Sequence, residues 1–158
     1  MSPIAGYLRA GHSSLLNPHT HHLPDIYAMH YSLTASHLVF VYGTLQPGQP
    51  RWPLLAPFGI QVGSLARARG ALFDTGYGWP AAVFDADAAE EVPGVVVAIY
   101  AEMLEEALAS LDEVEGVDGG LFQRVVIDVG GLSCWAYHWP ESTEAFHRIQ
   151  RWPRGGEL

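Results

Sequence analysis

The sequence predicts an α+β domain built around a mostly antiparallel sheet, and three observations lead there. Val95-Val96-Val97-Ala98-Ile99-Tyr100 is apolar throughout, the pattern of a central strand buried on both faces. Residues 122–129 and 132–139 both read as strands, and Gly130-Gly131 between them makes an antiparallel hairpin. Residues 102–111 place Met103, Leu104, Ala107, Leu108 and Leu111 at helical spacing, which gives one buried helix face. Closure of the sheet into a barrel is one option that these elements leave open.

Taken in order, residues 1–36 come first and show no helical or strand period. They are expected to form a flexible, His-rich extension, with the domain occupying residues 37–158. Six of the eight histidines lie at or before His37. His19, His21, His22 and Asp25 could gather a metal, but their spacing matches no structured zinc motif, so no resident metal is expected. Val39-Phe40-Val41 then reads as a short buried strand that runs into Tyr42-Gly43-Thr44-Leu45-Gln46-Pro47-Gly48. Backbone N–H groups beyond such a strand end lack ladder partners and can form a small anion-binding concavity. Arg51 to Ala56 suit a helical turn or two, ended by Pro57 and Gly59. Residues 60–73 look extended but are interrupted at Gly63 and Gly70, as in a bent or bulged strand. A turn cluster over residues 74–80 precedes a short apolar run, residues 81–84, and an acidic loop, residues 85–91. Beyond the hairpin, Pro140 ends the second strand and residues 141–150 are assigned to a short terminal helix.

Composition narrows the function. The 158 residues carry a formal net charge of -9, and all eight basic side chains are arginine. That balance disfavours nucleic acid and anionic membrane surfaces, which both select basic patches. Cys134 is the single cysteine, which excludes an intramolecular disulfide. No stretch has the length of a membrane-spanning helix, and the N-terminus lacks the basic start and apolar core of a signal peptide. A soluble, cytoplasmic protein is expected.

Few residues are candidates for chemistry. Cys134 sits in mid-strand among large apolar neighbours and reads as a packed thiol. His138 and His147 are isolated, and no nucleophile elbow, phosphate loop or dinucleotide fingerprint is present. Asp112, Glu113 and Glu115 crowd a helix C-terminus, where the dipole already disfavours negative charge. Acidic side chains there are either solvated or held for a purpose. If Glu115 points inward, burial and neighbouring carboxylates raise its pKa and suit it to proton transfer near neutrality.

Five segments in order also resemble a known family. They are Tyr42-Gly43-Thr44-Leu45 with Gly48; Gly70-Ala71-Leu72-Phe73-Asp74 with Gly76, Tyr77 and Pro80; Pro93-Gly94-Val95-Val96; Leu111-Asp112-Glu113-Val114-Glu115-Gly116; and Phe122-Gln123-Arg124. Each is weak alone, but together, over residues 38–140, they resemble the gamma-glutamyl cyclotransferase-like family. The resemblance implies a sheet closed into a small barrel with flanking helices. It implies an enzyme, acting without metal or cofactor, that cyclises a γ-glutamyl group to 5-oxoproline and releases an amine or amino acid. Glu115 would be the catalytic acid/base. Tyr42, Gly43, Thr44 and Leu45 would bind the γ-glutamyl group, with Arg124 supporting Glu115 or a strand end. The expected partner is thus a small γ-glutamyl compound. Phe122 stands where the family has tyrosine, which removes a hydroxyl, and Tyr137 is the candidate to replace it. The same departures fit an alternative, a non-catalytic binding module that keeps the fold and cavity.

Overall fold

The strand Leu38–Val41 (β1) is buried at all four positions, because it is covered on both sides. A computed structural model describes residues 36–60 and 63–154. β1 is followed by a four-residue helix, Trp52–Leu55 (α1), which runs into a 3-10 turn at Ala56–Phe58. Then come Ser64–Asp74 (β2), Pro80–Phe84 (β3) and Glu91–Ala98 (β4), and the main helix Leu104–Val114 (α2) after a 3-10 turn at Ala101–Met103. Gln123–Val129 (β5), Leu132–His138 (β6) and His147–Ile149 (β7) complete the order.

The strands lie side by side as β3-β2-β4-β1-β6-β5, with β7 added to β2. Every pairing described is antiparallel except β1 with β6, where Val39 lies opposite Trp135. β4 is internal, as its apolar sequence predicts, between β1 and β2. β2 is one bent strand that changes partners at Gly70: residues before it pair with β4, and residues from it onward pair with β3. The sheet curls until its ends approach. The Trp139 N–H donates to the Ala82 carbonyl at 2.9 Å, and the Phe84 N–H donates to His138 Nδ1 at 3.1 Å. The result is a nearly closed mixed barrel with two helices, and the closure follows from the sheet's coiling. A seam stays open where the first half of β2 faces the free edge of β5.

Two cores result. Leu38, Phe40 and Tyr42 point into the barrel with Leu72, Val92 and Cys134. Val39 and Val41 point outward with Val95 and Val97 to the face that α2 covers. Ala107, Leu108 and Leu111 are the buried residues of α2, as its spacing predicts. Leu111 has no exposed surface, so truncation to alanine costs about 2–5 kcal/mol. Cys134 is equally buried, and burial pushes its thiol up to about 11, in keeping with a packed residue.

One element is corrected. Residues 141–150 do not form a helix; they contain β7, which pairs Leu72 with Ile149 and Asp74 with His147. Ile149 is buried in the barrel core, while His147 and Arg148 are exposed. Three residues are too short to show a period, and the second half of β2 offers a free edge that pairing satisfies. The expected extension lies, but for Ser36, outside the described residues, as do His19, His21, His22 and Asp25. No helix among the described residues is long and apolar enough to cross a membrane.

Candidate active site

The position of Glu115 is set by how α2 ends. Glu115 is the last residue of the helix cap, and its own N–H donates to the Leu111 carbonyl at 2.9 Å. The next two N–H groups fold back: Gly116 donates to Glu113 at 3.2 Å and Val117 to Asp112 at 3.0 Å. This double return is the Schellman arrangement, which needs a left-handed residue, and Gly116 supplies it at φ +64°. The chain reverses there, and the Glu115 side chain turns inward instead of continuing the solvated acidic face.

It turns into a cleft of about 380 Å³, open to solvent at its mouth and lined by Tyr42, Gly43, Thr44, Leu45, Arg51 and Glu115, with Trp79, Pro80, Phe122 and Tyr137. Burial raises the Glu115 carboxyl from 4.5 to about 7, against the opposing pull of the Arg51 guanidinium. Burial is the cause; neighbouring carboxylates, the other expected contributor, do not appear among its causes. Burial and the nearby Glu115 charge likewise push the Tyr42 hydroxyl well above its ordinary range.

The turn after β1 forms one wall. The Gln46 N–H donates to the Gly43 carbonyl at 3.1 Å, and the Arg51 N–H to the Thr44 carbonyl at 2.9 Å. The turn therefore uses its carbonyls internally. Among the described residues, the amides of Thr44 and Leu45 have no backbone acceptor, as the anion-binding reading requires. Gly43 is needed for a different reason from Gly116. A Cβ there would sit 2.7 Å from Cγ of Pro80, so any side chain would push the two walls apart. The Tyr42 hydroxyl donates to the Tyr137 carbonyl at 2.6 Å, which ties the turn to β6.

Six of the residues singled out from the sequence thus meet in one cleft: Tyr42, Gly43, Thr44, Leu45, Glu115 and Tyr137. Arg124 does not line it. Its guanidinium donates to Asp112 Oδ2 at 2.9 Å and lies 5.0 Å over the Trp135 ring. The Tyr137 hydroxyl donates to Asp112 Oδ1 at 2.8 Å, so Asp112 holds both groups from behind the wall. Burial, then this bond, pushes the Tyr137 hydroxyl up strongly. The hydroxyl missing at Phe122 is therefore not replaced at Glu115 by Tyr137, whose proton is committed to Asp112. Phe122 is buried against Trp79 and Trp139 instead.

Arg51 and Trp79 were not legible as site residues. Arg51 sits seven residues after Thr44 in sequence, and only the folded turn returns it to the cleft. Trp79 carried a signal, as an aromatic inside a glycine-rich turn, but nothing in the pattern said what that turn would face. Among the described residues, no group of three or more His, Cys, Asp or Glu is placed to hold a metal ion.

Comparison with other proteins identifies the family and the fold. Residues 39–154 match the family described as gamma-glutamyl cyclotransferase, AIG2-like, so the match includes β7 and runs past residue 140. No curated protein sequence matches the chain. Solved structures with the same fold include an AIG2-like protein from Mus musculus, with a TM-score of 0.56 at 20% identity, covering 75% of this chain and 89% of that one. An uncharacterised protein from Pyrococcus horikoshii gives a TM-score of 0.56 at 20% identity, covering 73% and 86%. A protein named gamma-glutamyl cyclotransferase gives 0.51 at 18% identity, covering 70% and 68%. At these identities the likeness is one of fold. With 39–154 matched, the chain belongs to the AIG2-like gamma-glutamyl cyclotransferase family.

Proposed function

We propose that this protein is a γ-glutamyl cyclotransferase that closes a γ-glutamyl amide to 5-oxoproline, with Glu115 as general acid/base. One observation carries the reading: a carboxyl whose proton affinity burial has raised to about 7 faces a cleft walled by a turn whose Thr44 and Leu45 amides have no backbone acceptor. An α-ammonium group holds its proton more tightly than an ordinary carboxyl does. The raised proton affinity of Glu115 therefore brings it closer to the amine than an ordinary carboxyl would be, which favours general base catalysis.

The steps need only groups that line the cleft. The substrate α-carboxylate lies on the Thr44 and Leu45 amides and within reach of the Arg51 charge. Glu115 takes a proton from the α-ammonium, and the freed nitrogen attacks the γ-carbonyl carbon of the same molecule. The tetrahedral adduct collapses as the original amide C–N bond breaks. Glu115 returns the proton to the departing nitrogen, then takes the second proton that the ring nitrogen must lose and passes it to the released amine. The lactam keeps one N–H, the amine leaves as ammonium and the carboxylate is regenerated. Both reacting groups belong to one substrate, so holding it folded supplies much of the rate by effective concentration.

A 5-oxoproline release assay over γ-glutamyl amides tests this, with Glu115→Gln as the control. Release by the native protein and loss in the folded variant is the expected result. Equal release by both would remove Glu115 from the mechanism. Binding of γ-glutamyl compounds without release by the native protein would make the cleft a recognition site alone.

A further inference from the structure

The cleft has a second, largely aromatic wall beside the turn over residues 42–45. Trp79, Pro80 and Phe122 form it, and aromatic packing continues outward from Trp79. Tyr77 stacks on Trp79 with ring centroids 6.0 Å apart and planes at 26°. Phe122 meets Trp79 edge-on at 5.5 Å, and Trp139 lies within 5.9 Å of both.

Tyr77 is 76% exposed, an unusual place for a ring that is held so firmly. Its turn is pinned from both ends. The Gly76 N–H donates to Asp74 Oδ1 at 2.9 Å, the Tyr77 N–H to Thr75 Oγ1 at 3.2 Å, and the Thr75 hydroxyl to the Trp79 carbonyl at 2.6 Å. An exposed ring on a constrained turn, stacked on a cleft-lining tryptophan, is a prepared surface whose outer face meets no ring among the described residues. Flat π faces that extend a stack favour another ring over an aliphatic chain of similar area.

Charge narrows the class further. Arg51 is the only cation among the described residues that line the cleft, and the glutamyl α-carboxylate occupies it. A leaving group with a carboxylate of its own, as any α-amino acid or peptide has, would find no counter-charge there. A cationic leaving group would meet the Arg51 charge in the same cleft.

We infer that the amine released from this site is an aromatic amine lacking a carboxylate, seated on Trp79, Phe122 and Tyr77. The inference rests on the cyclotransferase reading above and adds the substrate class to it.

Four γ-glutamyl amides separate the possibilities: those of phenethylamine, ethylamine, phenylalanine and 1,4-diaminobutane. Ethylamine lacks the ring, and phenylalanine is phenethylamine with a carboxylate added. The phenethylamide is expected to exceed both the ethylamide and the phenylalanine conjugate in kcat/KM by about tenfold or more. Tyr77→Ala is expected to lower the phenethyl-to-ethyl ratio at least about threefold, without loss of folding at so exposed a position. A ratio near one in either comparison, or preference for the diamine, overturns the inference while leaving the cyclotransferase reading intact. Equilibrium binding of the same amides to Glu115→Gln, followed by tryptophan fluorescence, reads the preference without turnover. If no amide is turned over, the cyclotransferase reading fails, and this binding order alone decides whether the aromatic subsite stands. No binding of the phenethylamide, or binding no tighter than the ethylamide, overturns it.

Discussion

The seam groove and the Glu115 cleft differ in size, in charge and in what holds their side chains. The groove between β2 and β5 spans about 1490 Å³, open solvent at its mouth included, and gathers Arg67, Arg69, Asp85, Glu91 and Asp128 along its sides. All five are exposed. Arg69 donates to the Ala88 carbonyl at 2.9 Å, and charges of both signs face open water. The cleft is about a quarter of that size, with one carboxyl and one guanidinium, yet its carboxyl is displaced from 4.5 to about 7. Volume and the number of ionisable groups favour the groove; removal of one charge from water favours the cleft. Water screens charges in an open groove, so they interact weakly with each other and with a visitor. A single half-buried carboxyl keeps its full effect on a bound amine.

The comparison breaks most directly at its two acids. Glu115→Gln is expected to lower kcat/KM for 5-oxoproline release by about 10²–10⁴-fold, the range of general acid–base catalysis. Glu91→Gln, in the groove, is expected to change it by less than about twofold. Comparable losses in both would erase the distinction between the two openings.

A smaller effect is expected at Arg51. Arg51→Gln removes the charge opposite the substrate carboxylate, and KM should rise about tenfold or more, as for loss of a charged hydrogen-bond partner. The same change has a second signature. Arg51 lowers the Glu115 proton affinity, so without it the rising limb of the pH–rate profile, near about 7 in the native protein, shifts to higher pH. A KM change with a stationary limb would place Arg51 too far from Glu115 to influence it.

Asp112 sharpens the boundary between the cleft and its support. Asp112→Ala leaves the Arg124 guanidinium and the Tyr137 hydroxyl without their acceptor, at a cost of about 1–3 kcal/mol in stability. Thermal denaturation reads this directly. Because Tyr137 also lines the cleft, activity should fall as well, but by less than in Glu115→Gln.

The mildest effect is in stability against pH. Glu115 binds its proton more tightly in the folded than in the unfolded chain, so its contribution is full below pH 4.5 and declines as pH rises to about 7. Glu115→Gln should flatten that part of the Tm profile and melt higher than the native protein above about pH 7. An unchanged slope would mean that the carboxyl is solvated in the folded state.

Much of the fold was legible because its cause is local. The apolar run of β4, the spacing of Leu104, Ala107, Leu108 and Leu111, and the glycines between β5 and β6 each act within a few residues. β7 was not legible: three residues carry no period, and the free edge of β2 that recruits them lies more than seventy residues earlier in the chain. Within the site, the motif segments pointed to Glu115 and to the turn over residues 42–45, while the path of Arg124 to Asp112 and the return of Arg51 did not show.

The sequence by itself determined a candidate acid at a helix end and a glycine-containing turn beyond β1, because helix termination and strand ends are set by neighbouring residues. Only the tertiary structure decided that these meet. The raised proton affinity of Glu115 comes from burial against the turn over residues 42–45, and burial is a property of chains brought together from distant positions. The aromatic wall has the same origin: Tyr77, Trp79, Phe122 and Trp139 form one surface only when the turn before β3, the end of β6 and the loop before β5 converge, and no spacing along the chain records that meeting.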